Sequence, residues 1–402
     1  MTGDGPVSVD EARARLRAVV APLPVERVPT LQALGRVLAE PVTTAVALPP
    51  FDQSAVDGYA VRHGDVASVP ARLPVVGVVP ATGHAERPVL APVTAMRIFT
   101  GGLVPEGADT IVRQELTRRE GDDVVIGEAV APGTDLRRAG EEVPAGAVVA
   151  GAGTEVTAGL VGALSVAGAA AVAVRRRPRV HVLVTGDEVV AAGQPLALGQ
   201  VYDANRPAMV AHLTAWGCEV VAAEHVVDEE GALRDALARA LDGADLVVTS
   251  GGVSVGDLDL VPAVTESLGA ERVLWRVAQR PGGPLYVARR GSTVLLGLPG
   301  NPAAVVVNLA VYARLALDLL AGTDPDRRWR RGVLEGEVRR DERKALWLRM
   351  TARTDDTGTV RLAPLSGQAS HMLGNLARAD ALVRVPPTSE PLPAALPWLP
   401  LR

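Results

Sequence analysis

Between residues 179 and 320 the chain repeats one pattern: an uninterrupted apolar run, a polar loop, then a helical segment. Three of the runs are 180–185, 246–249 and 294–298. The loops after them begin Gly186-Asp187-Glu188, Ser250-Gly251-Gly252-Val253 and Pro299-Gly300-Asn301-Pro302. A run that is apolar at every position fits a parallel strand buried on both faces, not a strand with one wet face. Open α/β sheets take ligands beyond the carboxyl ends of their strands. The pattern predicts a mostly parallel sheet with three polar loops gathered at one edge.

The flanks read differently. Ser8 with Glu11 three residues on forms a capping-box signal for a helix to Val19. A second short helix is expected over 30–38, and a proline-rich boundary over 41–50. Residues 73–147 hold short strand signals between Gly and Pro, a β-rich domain. A helix over 157–164, a strand over 171–174 and an Arg-Arg-Arg-Pro joint follow. Inside the central region, Asn205 is expected to cap a helix reaching Trp216. A strand over 219–227, a helix over 231–241 and a long apolar helix over 302–320, ended by Gly322, complete it. Residues 329–402 alternate in polarity and predict a small β domain.

Composition excludes several classes. A net charge of −5 argues against a general nucleic-acid binder. Cys218 is the only cysteine, so no intrachain disulfide forms, which suits a reducing cytoplasm. The six histidines are scattered and predict no Cys/His zinc cluster. Asp4, Asp10 and Glu11 without an apolar core do not read as a signal peptide. The uncharged stretches 156–174 and 294–313 are expected to be buried elements; Pro299-Gly300-Asn301-Pro302 interrupts the second. Lys344 is the only lysine, so arginine carries nearly all the positive charge.

The loops carry the chemistry. The glycine-rich stretch from Ser250, Gly251 and Gly252 to Gly256 follows a strand and leads into a helix, which suits an anionic group such as phosphate. It is neither a Walker loop nor a dinucleotide fingerprint. Glu188, Asp228, Asp257 and Asp259 all fall just past strand ends. Any one of them is equally well explained as a helix cap. Four together beside an anion site point to a hard cation such as Mg²⁺, held by a few carboxylates and substrate phosphate. Asp57-Gly58 alone is an ordinary turn. No Ser-His-Asp or Cys-His arrangement is present. The residues alone indicate a cytoplasmic multidomain α/β protein that handles a phosphorylated small molecule with a divalent cation.

In combination the motifs resemble the MoeA family, the molybdopterin molybdotransferases that include the gephyrin E domain. The matching stretches are 51–62, 97–101, 107–115, 185–188, 203–206, 250–259, 281–284 and 297–302, in the family's order. The resemblance implies an α/β multidomain chain: a helical and strand base from 1–45 with 147–177, an inserted β domain at 46–146, a molybdopterin-binding α/β domain at 178–327 and a C-terminal β-barrel-like domain at 328–402. It implies an elongated homodimer that inserts molybdate into adenylylated molybdopterin with Mg²⁺ and release of AMP. The pterin-adenylylating enzyme and molybdoenzyme chaperones are the protein partners it implies. Nucleic acid and membrane are not expected.

Carried over by position, the implied catalytic residues are Asp57, Thr100, Glu142, Glu188, Asp228 and Asp259. The implied ligand contacts are Asp203, Asn205, Ser250, Gly251, Gly252, Arg276, Arg280, Pro299, Pro302, Arg349 and Ser370. The metal set is Glu188, Asp228, Asp257 and Asp259. The chain departs from the family where lysines give way to Arg276 and Arg280, and where Pro281-Gly282-Gly283-Pro284 lacks the lysine of Pro-Gly-Lys-Pro. A non-catalytic pterin scaffold and a tungsten-preferring paralogue are the alternative readings.

Overall fold

The computed structural model describes residues 5–83, 86–253 and 260–401. Helix α1 (Val9–Val19) opens as expected: the Ser8 hydroxyl accepts the Glu11 amide at 3.1 Å. Its apolar stripe, Val9, Ala12 and Leu16, enters the core beneath the central sheet. Strand β1 (Val25–Pro29) follows. The helix expected over 30–38 is a single 3₁₀ turn, Thr30–Ala33. Gly35 takes φ +72° and Leu38 pairs with Val174, so the chain is committed to a sheet edge before a helix propagates.

Strands β2 (Gly58–Val61), β3 (Ala71–Val79), β4 (Ala95–Ile98), β5 (Thr110–Arg113), β6 (Thr117–Glu120) and β7 (Asp123–Ile126) form one sheet in the order β5-β2-β4-β3-β7-β6. Tyr59, Leu73, Val112 and Ile126 fill its core. The chain then returns through α2 (Ala158–Val166), capped by Thr157, to β8 (Ala171–Arg175), which pairs antiparallel with β1.

The central unit follows the expected alternation. It runs β9 (Arg179–Thr185), α3 (Asn205–Ala215), β10 (Glu219–Val226), α4 (Glu230–Gly243), β11 (Leu246–Ser250), α5 (Val261–Ser267), β12 (Glu271–Trp275), β13 (Tyr286–Arg290) and β14 (Thr293–Leu298). The sheet order is β10-β9-β11-β14-β13-β12; the first four are parallel and the last two antiparallel. Both faces are buried, as the unbroken apolar runs require. Val182 and Val248 enter one core while Leu183 and Val247 enter the other. Helix α6 (Pro302–Leu320) is the one helix long and apolar enough to cross a membrane among the described residues, yet 83% of that stretch is buried inside the protein. Its middle, Leu309–Ala313, is a π turn.

Strands β15 (Arg330–Leu334), β16 (Ala345–Thr354), β17 (Val360–Pro364), β18 (Ala381–Val385) and β19 (Ala395–Pro400) close into a barrel, β16-β17-β15-β19-β18 and back to β16. The short strand Gln279–Arg280 adds to its edge, parallel to Ala345 and Leu346. The α/β unit and the barrel are thus joined through backbone hydrogen bonds.

Candidate active site

The polar loops do gather at the carboxyl edge. The Gly251 amide donates to the Leu298 carbonyl at 3.0 Å, binding the second loop to the end of β14. Gly251 takes φ +96°, and a Cβ there would lie 2.6 Å from the Thr185 hydroxyl. Only glycine lets this loop pass the end of β9. Asn205 ties the set together: its amide donates to Ser250 Oγ at 2.8 Å and to the Gly300 carbonyl at 2.7 Å. The expected cap is therefore misplaced by two residues. Asn205 already lies in the helix, and Asp203 closes the first turn by accepting the Arg206 amide at 2.9 Å. Arg206 Nε stands 3.0 Å from the other Asp203 oxygen, off the line of a hydrogen bond. That oxygen and Asn205 Oδ1 are buried acceptors without a hydrogen-bond donor among the described residues. Such atoms are costly to leave unpaired, so the pair suits a ligand with N–H donors.

The acids divide. Asp228 sits beside Thr185, Asp187 and Glu188; its amide donates to Asp187 Oδ1 at 3.2 Å. Burial pushes its carboxyl above the ordinary range, and the charges of Asp187 and Glu188 push the same way. Asp187, named by its loop but not expected at the site, belongs to this group. Asp257 and Asp259 lie outside the described residues. Among those described, no three His, Cys, Asp or Glu side chains are grouped to hold a metal. In the inserted sheet, Asp57 Oδ1 accepts both the amide and the hydroxyl of Thr100, each at 2.8 Å. Those donors, the amide first, hold Asp57 below the usual carboxylate range. Glu142 stands apart on an exposed turn, its amide on the Leu48 carbonyl. No hydrogen bond or ion pair among the described residues joins Asp57, Thr100 or Glu142 to Glu188 or Asp228.

A cleft of about 750 Å³ opens between the α/β unit and the barrel. Its walls include the turn from Arg280 to Pro284, Pro299 and Asn301 of the third loop, and Ser370 and His371 of the barrel. Arg280, Arg339 and Lys344 bring three cations to the lining with one carboxylate, Glu337, and Asp341 beyond the lining feels the charges of Lys344 and Arg339. None of the three cations has a side-chain hydrogen bond or ion pair among the described residues. Unpaired guanidinium and ammonium groups in a concave site are suited to a tetrahedral oxyanion. On the other side of the third loop, Asn205 and Pro302 line a smaller cavity of about 230 Å³.

Three family models tile this chain: the MoeA N-terminal region, domains I and II, over residues 7–168; a probable molybdopterin-binding domain over 181–318; and the MoeA C-terminal region, domain IV, over 331–394. The molybdopterin molybdenumtransferase 2 of Mycobacterium tuberculosis is 38% identical over 371 residues, 89% of this chain and 90% of its own. The chain belongs to the molybdopterin molybdenumtransferase (MoeA) family. The Haemophilus influenzae member is 31% identical over 384 residues, 94% of each chain. The Nostoc member is 41% identical over 297 residues, 72% of this chain and 68% of its own. Two structures of the MoeA protein from Pyrococcus horikoshii, 27% and 25% identical, each superpose at a TM-score of 0.82. They cover 99% and 98% of this chain and 100% of their own.

The MoeA-derived positions fall in separate places. Arg280, Pro299 and Ser370 line the cleft, and Pro302 lines the smaller cavity. Arg276 turns aside: its backbone takes φ +70° and its guanidinium lies over the Trp275 ring. Arg349 is not a cleft surface. It is 1% exposed and donates to the carbonyls of Gly367 (2.8 Å), Ala369 (3.2 Å) and Met372 (2.6 Å). It therefore shapes the loop that presents Ser370. Arg339 and Lys344 were not expected; the one signal for Lys344 is its rarity in an arginine-rich chain.

Proposed function

We propose that this chain inserts molybdenum into molybdopterin, a late step of molybdenum cofactor assembly, acting on the adenylylated pterin and releasing AMP. One observation supports the reading above the rest: the cation-lined cleft shares the Pro299–Pro302 turn with the glycine-rich loops at the sheet edge. A pterin held by those loops would reach an oxyanion held in the cleft. The unpaired acceptors of Asp203 and Asn205 suit the N–H edge of a pterin. The amides of Gly252 and Val253, past the Gly251 amide that bonds Leu298, suit its phosphate. Arg280, Arg339 and Lys344 suit molybdate.

Glu188 and Asp228, with Asp257 and Asp259 outside the described residues, would hold Mg²⁺. The repulsion around Asp228 fits that role, and bound Mg²⁺ would offset the charge of the phosphate. The remaining donors, Asp57 and Thr100, belong to the inserted sheet; we assign them to the second half of a site completed by another copy in a homodimer. We keep the division into base, inserted β, α/β and barrel domains as part of this reading, and the cytoplasm is the compartment this chemistry fits. The test is direct. Purified protein with adenylylated molybdopterin, Mg²⁺ and molybdate should release AMP and incorporate metal in equal amounts. AMP release without incorporation, or neither, would contradict the reading.

A further inference from the structure

In the wall of the cleft lies a largely buried polar group to which the transfer chemistry gives no part. Gln279 is 3% exposed, and all four hydrogen-bonding positions of its amide are filled. Its Oε1 accepts the Tyr312 hydroxyl at 2.8 Å and the Trp347 indole N–H at 3.0 Å. Its Nε2 donates to the Gly282 carbonyl at 3.0 Å and to Asn308 Oδ1 at 2.8 Å. Asn308 Nδ2 reaches the same Gly282 carbonyl at 3.2 Å. One amide thus touches three bodies: α6 through Asn308 and Tyr312, the barrel through Trp347, and the cleft turn through Gly282. Tyr312 reaches it from the π turn of α6, a feature often found at functional sites.

The turn is held closely. Gly282 takes φ +86°, and a Cβ there would stand 2.7 Å from Asn308 Oδ1. The backbone of Gln279 and Arg280 pairs with Ala345 and Leu346, next to Lys344. The spacing between Arg280 of the α/β unit and Lys344 of the barrel is therefore set around this amide. A hydrophobic side chain of the same length would fill the space and set nothing.

We propose that Gln279 is a positioning residue for the transfer reaction: it locks the Arg280–Pro284 turn to both walls of the cleft, so that cations from the two units meet one oxyanion at a fixed spacing. This rests on the reading that the cleft takes molybdate. The test uses the whole enzyme with three variants around the amide and a fourth in the cleft. Gln279→Met should raise the KM for molybdate on the order of tenfold or more, with kcat largely kept, since misplacement of a binding group by even 1 Å is costly. Tyr312→Phe removes a bond on the far side of the amide and leaves the Gly282 clamp. It should lower the melting temperature without moving KM. If Gln279→Met does not fold, Asn308→Ala, which removes the second donor on Gly282, should raise KM instead. An unchanged KM in the folded Gln279 or Asn308 variant overturns the proposal, as does a KM that tracks melting temperature across all three. Arg339→Gln separates this failure from that of the cleft reading, which falls if that variant leaves KM unchanged.

Discussion

Gly282 and Gly283 are neighbours in one turn with different tolerances. Gly282 takes a left-handed φ and would press a Cβ onto Asn308, so Gly282→Ala should cost about 1–3 kcal/mol, measured by chemical denaturation. Gly283 has no such φ; its Cβ would meet the Gln279 and Val277 carbonyls at 3.1 and 3.2 Å, tight but not prohibitive. Gly283→Lys should therefore fold and add a cation to the cleft. It should lower the half-saturating molybdate concentration by roughly two- to thirtyfold, matching a charge contribution of about 0.5–2 kcal/mol. No change would mean that Arg280, Arg339 and Lys344 already meet the oxyanion's needs. In the inserted sheet, Asp57 is held below its ordinary pKa by two Thr100 donors. A depressed carboxyl stabilises the fold above its unfolded pKa and loses that contribution as pH falls through the folded one. Thr100→Val keeps the amide, the larger of the two causes, and removes the hydroxyl. Asp57 should then titrate higher, part of the way back to an ordinary carboxyl, as followed by carbon NMR of the side chain.

Elements carry their own dependences. The loop from Gly367 to Met372 is held by the buried Arg349, whose charge faces carbonyls and, among the described residues, no carboxylate. Arg349→Met should take the donor from the Met372 carbonyl and leave Gly367 and Ala369 with only their bonds from Asn375 and the Met372 amide, free the loop for proteolytic cleavage and disturb the placement of Ser370. Cleavage at the wild-type rate would contradict this. The sheet was legible because burial on both faces leaves an unbroken apolar signature; β9, β11 and β14 lie within one residue of their expected ends. The third-loop turn and the Ser8 cap were legible for similarly local reasons. What failed was decided by distant contacts. The expected helix after Thr30 lost to strand pairing between Leu38 and Val174. Asn205 looked like a cap, but its amide is committed to Ser250 and Gly300, and Asp203 took the capping role. The cleft was legible only in halves, because Arg280 and Lys344 are brought together by a single short stretch of strand pairing. Gln279 gave no signal at all; a lone glutamine reads as solvated until Trp347 and Tyr312 are seen to enclose it.

For the whole molecule, two groups of candidate residues are joined by no hydrogen bond or ion pair among the described residues. Asp57 and Thr100 sit on the inserted sheet, Glu188 and Asp228 at the edge of the α/β sheet. A two-fold dimer that sets one chain's inserted sheet against the partner's α/β edge would complete two equal sites. The deciding measurement is activity in a mixed dimer. Asp57→Ala and Asp228→Ala homodimers should each be inactive. Differently tagged subunits, mixed and purified as heterodimers, would then hold one site with both lesions and one with neither. Shared sites predict recovery of about half the wild-type molybdenum insertion per heterodimer, from the two-fold symmetry. Heterodimers as inactive as their parents would contradict it, since sites contained within one chain leave each subunit with its own defect.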